Sequence, residues 1–104
     1  MYGWTKYLAD EGIRRCTEQD PALAQVLARA LPGIEALLRD TGLPYRLAAH
    51  LTRDGEYLIR MQVAYRSKWE RDRLWDRAAS ILERARRGRA VDILCGIAGL
   101  PQAN

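Results

Sequence analysis

Two alternating apolar segments joined by Asp54-Gly55 constrain the fold of this chain most strongly. Residues 45–52 and 56–66 carry apolar side chains at every second position, a pattern typical of half-buried strands. A tight two-residue loop would mix apolar and charged side chains on both faces of the hairpin. A type I turn followed by a left-handed Gly55 instead pairs Leu51 with Tyr57 and collects the apolar side chains on one face. The same register adds three pairs: Ala49 with Ile59, Leu47 with Met61 and Tyr45 with Val63.

Two helices are predicted before the hairpin. A first, weak helix spans residues 4–17, although Gly12 interrupts its apolar face. The second begins at Asp20-Pro21, because Asp accepts from free N–H groups and Pro fits the first helical position. Its apolar phase continues across Pro32-Gly33 as far as Gly42, which is a typical C-terminal stop. This pattern predicts either one kinked helix or two abutting helices.

A third helix is predicted after the hairpin. It opens with a capping box, in which the Ser67 hydroxyl accepts from a backbone N–H and Glu70 reaches back to the cap. Gly88 ends it. The predicted buried stripe contains Leu74, Trp75, Ala78, Ile81, Leu82 and Ala85.

The last predicted element is a strand over residues 90–97 that is apolar on both sides. Four side chains face one way: Val91, Ile93, Cys95 and Ile97. Leu94 and Gly96 face the other way, a pattern typical of a strand that is covered on both sides or lies in a subunit contact. Residues 98–104 are predicted to form a loose tail.

These elements predict one α+β domain over residues 1–104, with the order α-α-β-β-α-β. Residues 1–42 form its helical part and residues 44–97 its hairpin, third helix and last strand. We expect a three-stranded, mainly antiparallel sheet with the helices packed on one face. The last strand runs parallel to the second strand, but the pattern allows it to lie beside either the first or the second.

Positive charge is concentrated in the second half of the chain. The net charge is +4, and residues 43–104 alone hold twelve basic and seven acidic side chains. Fifteen of the seventeen basic residues are arginines, which bind carboxylates and phosphates through planar, paired contacts. Coding bias is the simpler explanation of the scarcity of lysine. A localised positive surface favours phosphates, anionic lipids or acidic protein faces as partners.

Catalytic motifs are missing from the sequence. His50 is the single histidine, and Cys16 and Cys95 belong to no metal or redox spacing. No nucleophile elbow or phosphate-binding loop is present. We therefore expect no enzyme, no metal and no cofactor. A small enzyme that pairs His50 with a carboxylate is the weakest alternative.

The outer side of the third helix is the most informative surface in the sequence. At about 100° per residue, its polar side chains align opposite the buried stripe. They are Arg73, Arg77, Ser80, Arg84 and Arg87, with Trp69 at the helix start. Tryptophan and arginine are both over-represented at binding centres. The alternative is that Trp69 folds down onto the hairpin near Tyr65, which leaves a solvated basic face.

Acidic residues within the third helix neutralise part of this set. Helical spacing pairs Glu70 with Arg73. It pairs Glu83 with Arg87 in the same way. Arg77 and Arg84 have no acidic residue three or four positions away in the helix.

A second basic patch is predicted on the outer face of the hairpin. It contains Arg46, His50, Arg60, Gln62 and Arg66. A basic sheet face of this kind can hold a phosphate backbone. It has no exposed aromatic side chain on which a base could stack, so nucleic-acid binding stays a generic expectation.

The function favoured by the sequence is that of a small non-enzymatic interaction protein, an adaptor or inhibitor, that docks on an acidic protein or a nucleoprotein complex. Its size, arginine content and lack of motifs suit a bacterial or phage protein, including a phage-type inhibitor of a host defence complex. Direct binding of DNA or RNA is the alternative. The reduced cysteines and the lack of a secretory signal or membrane span indicate the cytoplasm. Homodimer formation is also compatible with the doubly apolar last strand.

Overall fold

A three-stranded mixed sheet forms one layer of the protein, which a computed structural model describes for residues 3–89 and 91–100. The strands are β1 (Tyr45–Leu51), β2 (Tyr57–Val63) and β3 (Ile93–Gly99). β1 and β2 pair antiparallel in the predicted register, with Leu51 opposite Tyr57. Gly55 has a φ of 80°, and its N–H donates to Thr52 O at 3.0 Å, so the bulged turn is confirmed. The register is predictable because only one choice buries all the apolar side chains together.

β3 pairs parallel with β2, which makes β2 the central strand. The sequence allowed the last strand to lie beside either the first or the second strand, and the structure places it beside the second. β3 begins three residues later than predicted because Ile93 N–H donates to Val91 O in a preceding turn. It also continues through Gly99, so the prediction of a loose tail from residue 98 is wrong at its start. Residues 101–104 of that tail lie outside the described residues.

The N-terminal part differs from the single helix predicted over residues 4–17. It contains a short 3-10 helix (Gly3–Tyr7) and, separately, helix α1 (Glu11–Gln19). Between them the backbone joins the edge of the sheet, where Ala9 N–H donates to Ala49 O at 2.9 Å. Asp10 then caps α1 by accepting from Ile13 N at 2.8 Å. Hydrogen bonds to the sheet edge therefore override the local helical preference.

Helix α2 (Pro21–Asp40) is one continuous helix that includes the exposed Pro32. The Asp20 carboxylate caps its start by accepting from Ala22 N and Leu23 N. By length and composition α2 could cross a bilayer, but in this fold it is the core helix of a compact globule. Its buried side chains are Leu23, Val26, Leu27, Ala30, Leu31, Ile34 and Leu38.

Helix α3 (Lys68–Arg86) packs against α2, and both helices contact the same face of the sheet. Ser67 Oγ accepts from Glu70 N at 3.1 Å, as the capping box predicts. The Glu70 carboxylate reaches Arg66 N at 2.7 Å, one residue before the expected cap. Arg87, in the left-handed conformation, ends the helix one residue before Gly88.

The described chain is thus a single compact α+β domain with the predicted element order and with its helices on one face of the sheet. α2 supplies much of the core. The sheet contributes five further side chains: Ala49, Ile59, Met61, Val63 and Ile93. No helix of residues 3–89 and 91–100 covers the opposite face of the sheet. This arrangement leaves two separate surfaces open, the outer side of α3 and the uncovered sheet face.

Candidate functional site

The outer side of α3 carries Trp69 and the predicted arginines in the open. Trp69 is 68% exposed, the largest exposed fraction among the large apolar side chains of the described residues. The set includes Arg73, Arg77, Arg84 and Arg87, all of them exposed. With a rise of about 1.5 Å per residue, Trp69 and Arg87 lie at opposite ends of a line of roughly 27 Å. We call these four arginines together with Trp69 the arginine stripe.

The capped start of α3 fixes the place from which Trp69 projects. Ser67 and Glu70 hold the first turn, and the guanidinium of Arg73 lies 5.2 Å from the centroid of the Trp69 ring. This cation–π contact lies along the helix surface and leaves most of the indole open to solvent. The alternative in which Trp69 folds down onto the hairpin near Tyr65 is therefore wrong.

Two acidic residues of α3 form ion pairs with arginines other than those predicted. Glu70 pairs with Arg66 at 3.2 Å, and Glu83 pairs with Arg86 at 3.1 Å. Hydrogen bonds from the Arg66 backbone N–H and then from its side chain hold the pKa of Glu70 below its usual value. The predicted pairs with Arg73 and Arg87 do not form. Within residues 3–89 and 91–100, no arginine of the stripe has an ion pair.

Charge is segregated around the exposed side of α3. At about 100° per residue, the stripe leans toward α2, whereas three of the four acidic residues of α3 lie on the flank that leads to β3. That acidic group comprises Asp72, Asp76 and Glu83. Glu70 lies on the stripe side but pairs with Arg66, so the arginines of the stripe keep no ion pair within the described residues.

A shallow groove runs beside the start of the stripe. It lies between the end of α2 and the first turns of α3 and encloses about 240 Å³. Its lining comes from two elements: Leu37, Asp40 and Thr41 at the end of α2, and Trp69, Glu70, Arg73, Leu74 and Arg77 on α3. The groove offers an indole and two leucines to an apolar side chain, and its two guanidinium groups are accompanied by two carboxylates.

Arg29 joins the far end of the stripe from a different element. It projects from the middle of α2, and its Nη1 donates to Ala85 O at 3.4 Å. Arg84, Arg87 and Ala85 line one groove with it. Sequence reasoning missed Arg29, although a single arginine in the middle of an apolar helix was a visible signal.

The predicted hairpin patch is only partly assembled. Arg46 and Arg60 are exposed on the uncovered sheet face, where they line a shallow depression with His50 and Gln62. Arg66 is not part of this patch, because β2 ends at Val63 and Arg66 belongs to the capped start of α3. The uncovered face and the arginine stripe lie on opposite sides of the molecule, so one flat partner cannot contact both.

His50 has a carboxylate nearby, as the weakest alternative requires. Its Nδ1 lies 3.7 Å from Asp10 Oδ2. The same Asp10 carboxylate caps α1 and accepts from Leu51 N at 3.2 Å. The pair therefore has a structural explanation in the junction between α1 and β1. No group of three or more possible metal ligands occurs in the described part of the chain.

The flank of α3 that leads to β3 has a different character. Trp75 was expected to be buried, but it is 45% exposed and its Nε1 donates to Cys95 O at 2.9 Å. Arg86 donates to Ile93 O on the same strand. These two side chains are therefore bound to the backbone of the edge strand.

Comparison with known proteins finds no matching family model, no similar curated protein and no similar solved structure. The function is therefore inferred from the surfaces of this chain.

Proposed function

We propose that this protein is a small, non-enzymatic interaction protein that docks through the arginine stripe onto an acidic protein or a nucleoprotein complex. The observation that carries the proposal is the exposed indole of Trp69 beside arginines that have no ion pair in the described residues. Contact with a partner would remove this indole surface from water, which is favourable.

The composition of the stripe matches what protein interfaces use. Tryptophan and arginine are enriched among the residues that dominate binding free energy, and they act best at the centre of a contact. Trp69 supplies a rigid apolar anchor, while Arg73 and Arg77 flank it with charge. Opposite charge on the partner would steer encounter and fix orientation. An adaptor or an inhibitor of a larger complex needs only such a surface.

Further parts of this proposal rest on the size and composition of the chain. A cytoplasmic location agrees with the free thiols of Cys16 and Cys95. A phage-type inhibitor of a host defence nucleoprotein complex is the most specific version of the proposal.

Direct nucleic-acid binding is the second candidate, and the uncovered sheet face favours it. Arg46 and Arg60 are exposed there without ion pairs in the described residues. A sheet face can hold a phosphate backbone through such arginines. This candidate uses the side of the molecule opposite to the stripe, which makes the two proposals separable by mutation.

The test compares partner capture by three variants in a lysate of the native host, followed by affinity measurements with the captured partner. We expect Trp69→Ala and Arg77→Glu each to weaken binding by about tenfold or more. Arg53→Glu is the matched control, because Arg53 lies exposed in the hairpin turn, and it should change affinity by less than about twofold. Equal losses in all three variants would contradict the proposal.

The nucleic-acid candidate is tested by titration with a short oligonucleotide at several salt concentrations. If it is correct, Arg46→Gln and Arg60→Gln each lower the log–log salt slope by about one unit. Loss of oligonucleotide binding only in Trp69 or Arg77 variants would instead assign nucleic-acid contact to the stripe.

A further inference from the structure

Three guanidinium groups from two different parts of the chain line one groove at the end of α3, and the charge of a fourth lies nearby. Arg84 lies in the last turn of α3, Arg87 caps it and Arg89 follows. Arg29 approaches from α2, where its hydrogen bond to Ala85 O holds it against the end of α3. A shallow groove of about 220 Å³ runs between Arg29, Arg84 and Arg87, with Ile81 and Ala85 as its apolar floor.

These cations repel one another within the fold. The partial burial of Arg29 and then the nearby charges of Arg87 and Arg89 lower its pKa. None of the four forms an ion pair with a described carboxylate, because the nearest acid along α3, Glu83, pairs with Arg86. Attraction between cations and the C-terminal end of a helix accounts for positive charge on α3. It also explains the hydrogen bond from Arg29 to Ala85 O, but not the gathering of further arginines in one groove without a carboxylate among its lining residues.

The backbone at Arg87 carries a second, independent observation. Arg87 has φ 49° and ψ 44°, and it is the only non-glycine residue with a positive φ among residues 3–89 and 91–100. Gly88 follows with a φ of 77°. Glycine is favoured where a helix ends in the left-handed conformation, so an arginine there retains strain. Retained strain of this kind concentrates at functional sites, where it holds a side chain in place.

We propose that Arg29, Arg84, Arg87 and Arg89 form a binding site for a ligand that presents two adjacent phosphate groups. Phosphate fits better than carboxylate because it concentrates more negative charge on one centre and offers several oxygens to planar guanidinium groups. The small groove suits a compact anion. A diphosphate and two neighbouring phosphates of a nucleic-acid strand share this chemistry.

This inference deepens the proposed function, on which it rests, because Arg84 and Arg87 belong to the arginine stripe. It identifies phosphate as the anionic group that a partner presents at this end. The two ideas separate experimentally, since Trp69 lies at the opposite end of α3. Trp69→Ala should leave pyrophosphate binding unchanged while it weakens partner capture.

The experiment is calorimetric titration of the full chain with pyrophosphate, combined with thermal unfolding of each variant. We expect Arg84→Gln and Arg29→Gln to weaken pyrophosphate binding by about tenfold each. The matched control is Arg53→Gln, which removes one exposed arginine that does not line the groove and should change affinity by less than about twofold.

Arg87→Gly separates a binding role from a structural one. Glycine relieves the left-handed strain, so the melting temperature of the free protein should rise while pyrophosphate binding falls. A purely structural Arg87 would give the higher melting temperature with unchanged binding, and that result would overturn its assignment to the site.

Two further ligands decide between sources and test the phosphate assignment. A single-stranded oligonucleotide that loses affinity in the same variants indicates a nucleic-acid strand, whereas binding of pyrophosphate alone indicates a small diphosphate. A glutamate peptide of equal charge that binds as tightly as pyrophosphate overturns the proposal. Absence of pyrophosphate binding overturns it as well, and the proposed function stands if partner capture still depends on Trp69 and Arg77.

Discussion

The two flanks of α3 use the same residue types in opposite ways. On the flank that leads to β3, Trp75 and Arg86 donate hydrogen bonds to the carbonyls of Cys95 and Ile93. On the other flank, Trp69 and Arg84 make no hydrogen bond to another element in the described chain. The position of a side chain relative to an open strand edge therefore decides whether an indole or a guanidinium group supports the fold or faces solvent.

The edge of β3 explains why the first flank is occupied. Leu100 N–H donates to Val63 O, so the even-numbered residues of β3 bond to β2 and the odd-numbered carbonyls point outward. An unpaired edge invites association with another strand. Trp75 and Arg86 satisfy its first two outward carbonyls, and no other described residue pairs with the stretch around Ile97. Homodimer formation through β3 stays a prediction, confined to that stretch.

The largest expected effect separates the two tryptophans. Trp75→Ala removes apolar contacts and the donor to Cys95 O, so we expect the free energy of unfolding to fall by about 2–3 kcal/mol. Trp69→Ala removes mainly solvent-exposed surface and should change it by less than about 0.5 kcal/mol. Urea unfolding followed by circular dichroism measures both. Equal destabilisation would contradict the distinction between the flanks.

The sequence predicts an element of this fold well where one arrangement alone buries all of its apolar side chains, or where a local hydrogen bond fixes its end. The hairpin register follows from one clean apolar face, and the cap at Ser67 follows from local hydrogen bonding. The prediction that Trp75 is buried was wrong. Helical periodicity gives only the side of α3 from which Trp75 projects, whereas the exposure of Trp75 depends on how far the edge of β3 extends beneath it. Such an extent is a tertiary property that no local pattern encodes.

The electrostatic details were less predictable for a related reason. Several carboxylates and guanidinium groups lie within reach of one another on α3, and small differences in geometry choose among them. The Glu70 carboxylate accepts a hydrogen bond from the backbone N–H of Arg66, which precedes the helix. Rules for side-chain spacing within a helix do not consider such a donor. Arg29 approaches Arg84 only because α2 and α3 pack together, a contact between residues that are far apart in sequence.

A smaller loss of stability is expected when Arg86 is replaced, in contrast to Arg84. Arg86→Met removes the hydrogen bond to Ile93 O and the ion pair with Glu83. It also removes the buried Arg86 Nε, which has no hydrogen-bond partner in the described residues, so part of the loss is offset. We expect the free energy of unfolding to fall by about 1 kcal/mol.

Hydrogen exchange locates this change. Arg86→Met should speed amide exchange in β3, because the strand loses an anchor to α3. Arg84→Met is the matched control, and it should leave both exchange and the free energy of unfolding unchanged. Faster exchange in β3 for both variants would show that the two arginines do not differ as the flanks do.

The smallest expected effect concerns the first turn of α3, from which both flanks begin. Glu70 has a lowered pKa because Arg66 donates to its carboxylate through the backbone and the side chain. A carboxyl group with a lowered pKa stabilises the folded state above its ordinary value, near 4.5, and this contribution is lost as the pH falls through the lower folded value. Glu70→Gln should therefore lower the melting temperature slightly at pH 7 and have progressively less effect as the pH approaches 3.

Glu18→Gln, on the exposed side of α1, is the control and should leave the melting temperature unchanged at pH 7. A Glu70→Gln deficit that persists at pH 3 would mean that the carboxylate charge is not what holds the start of α3, and Trp69 would then project from a turn secured by Ser67 alone.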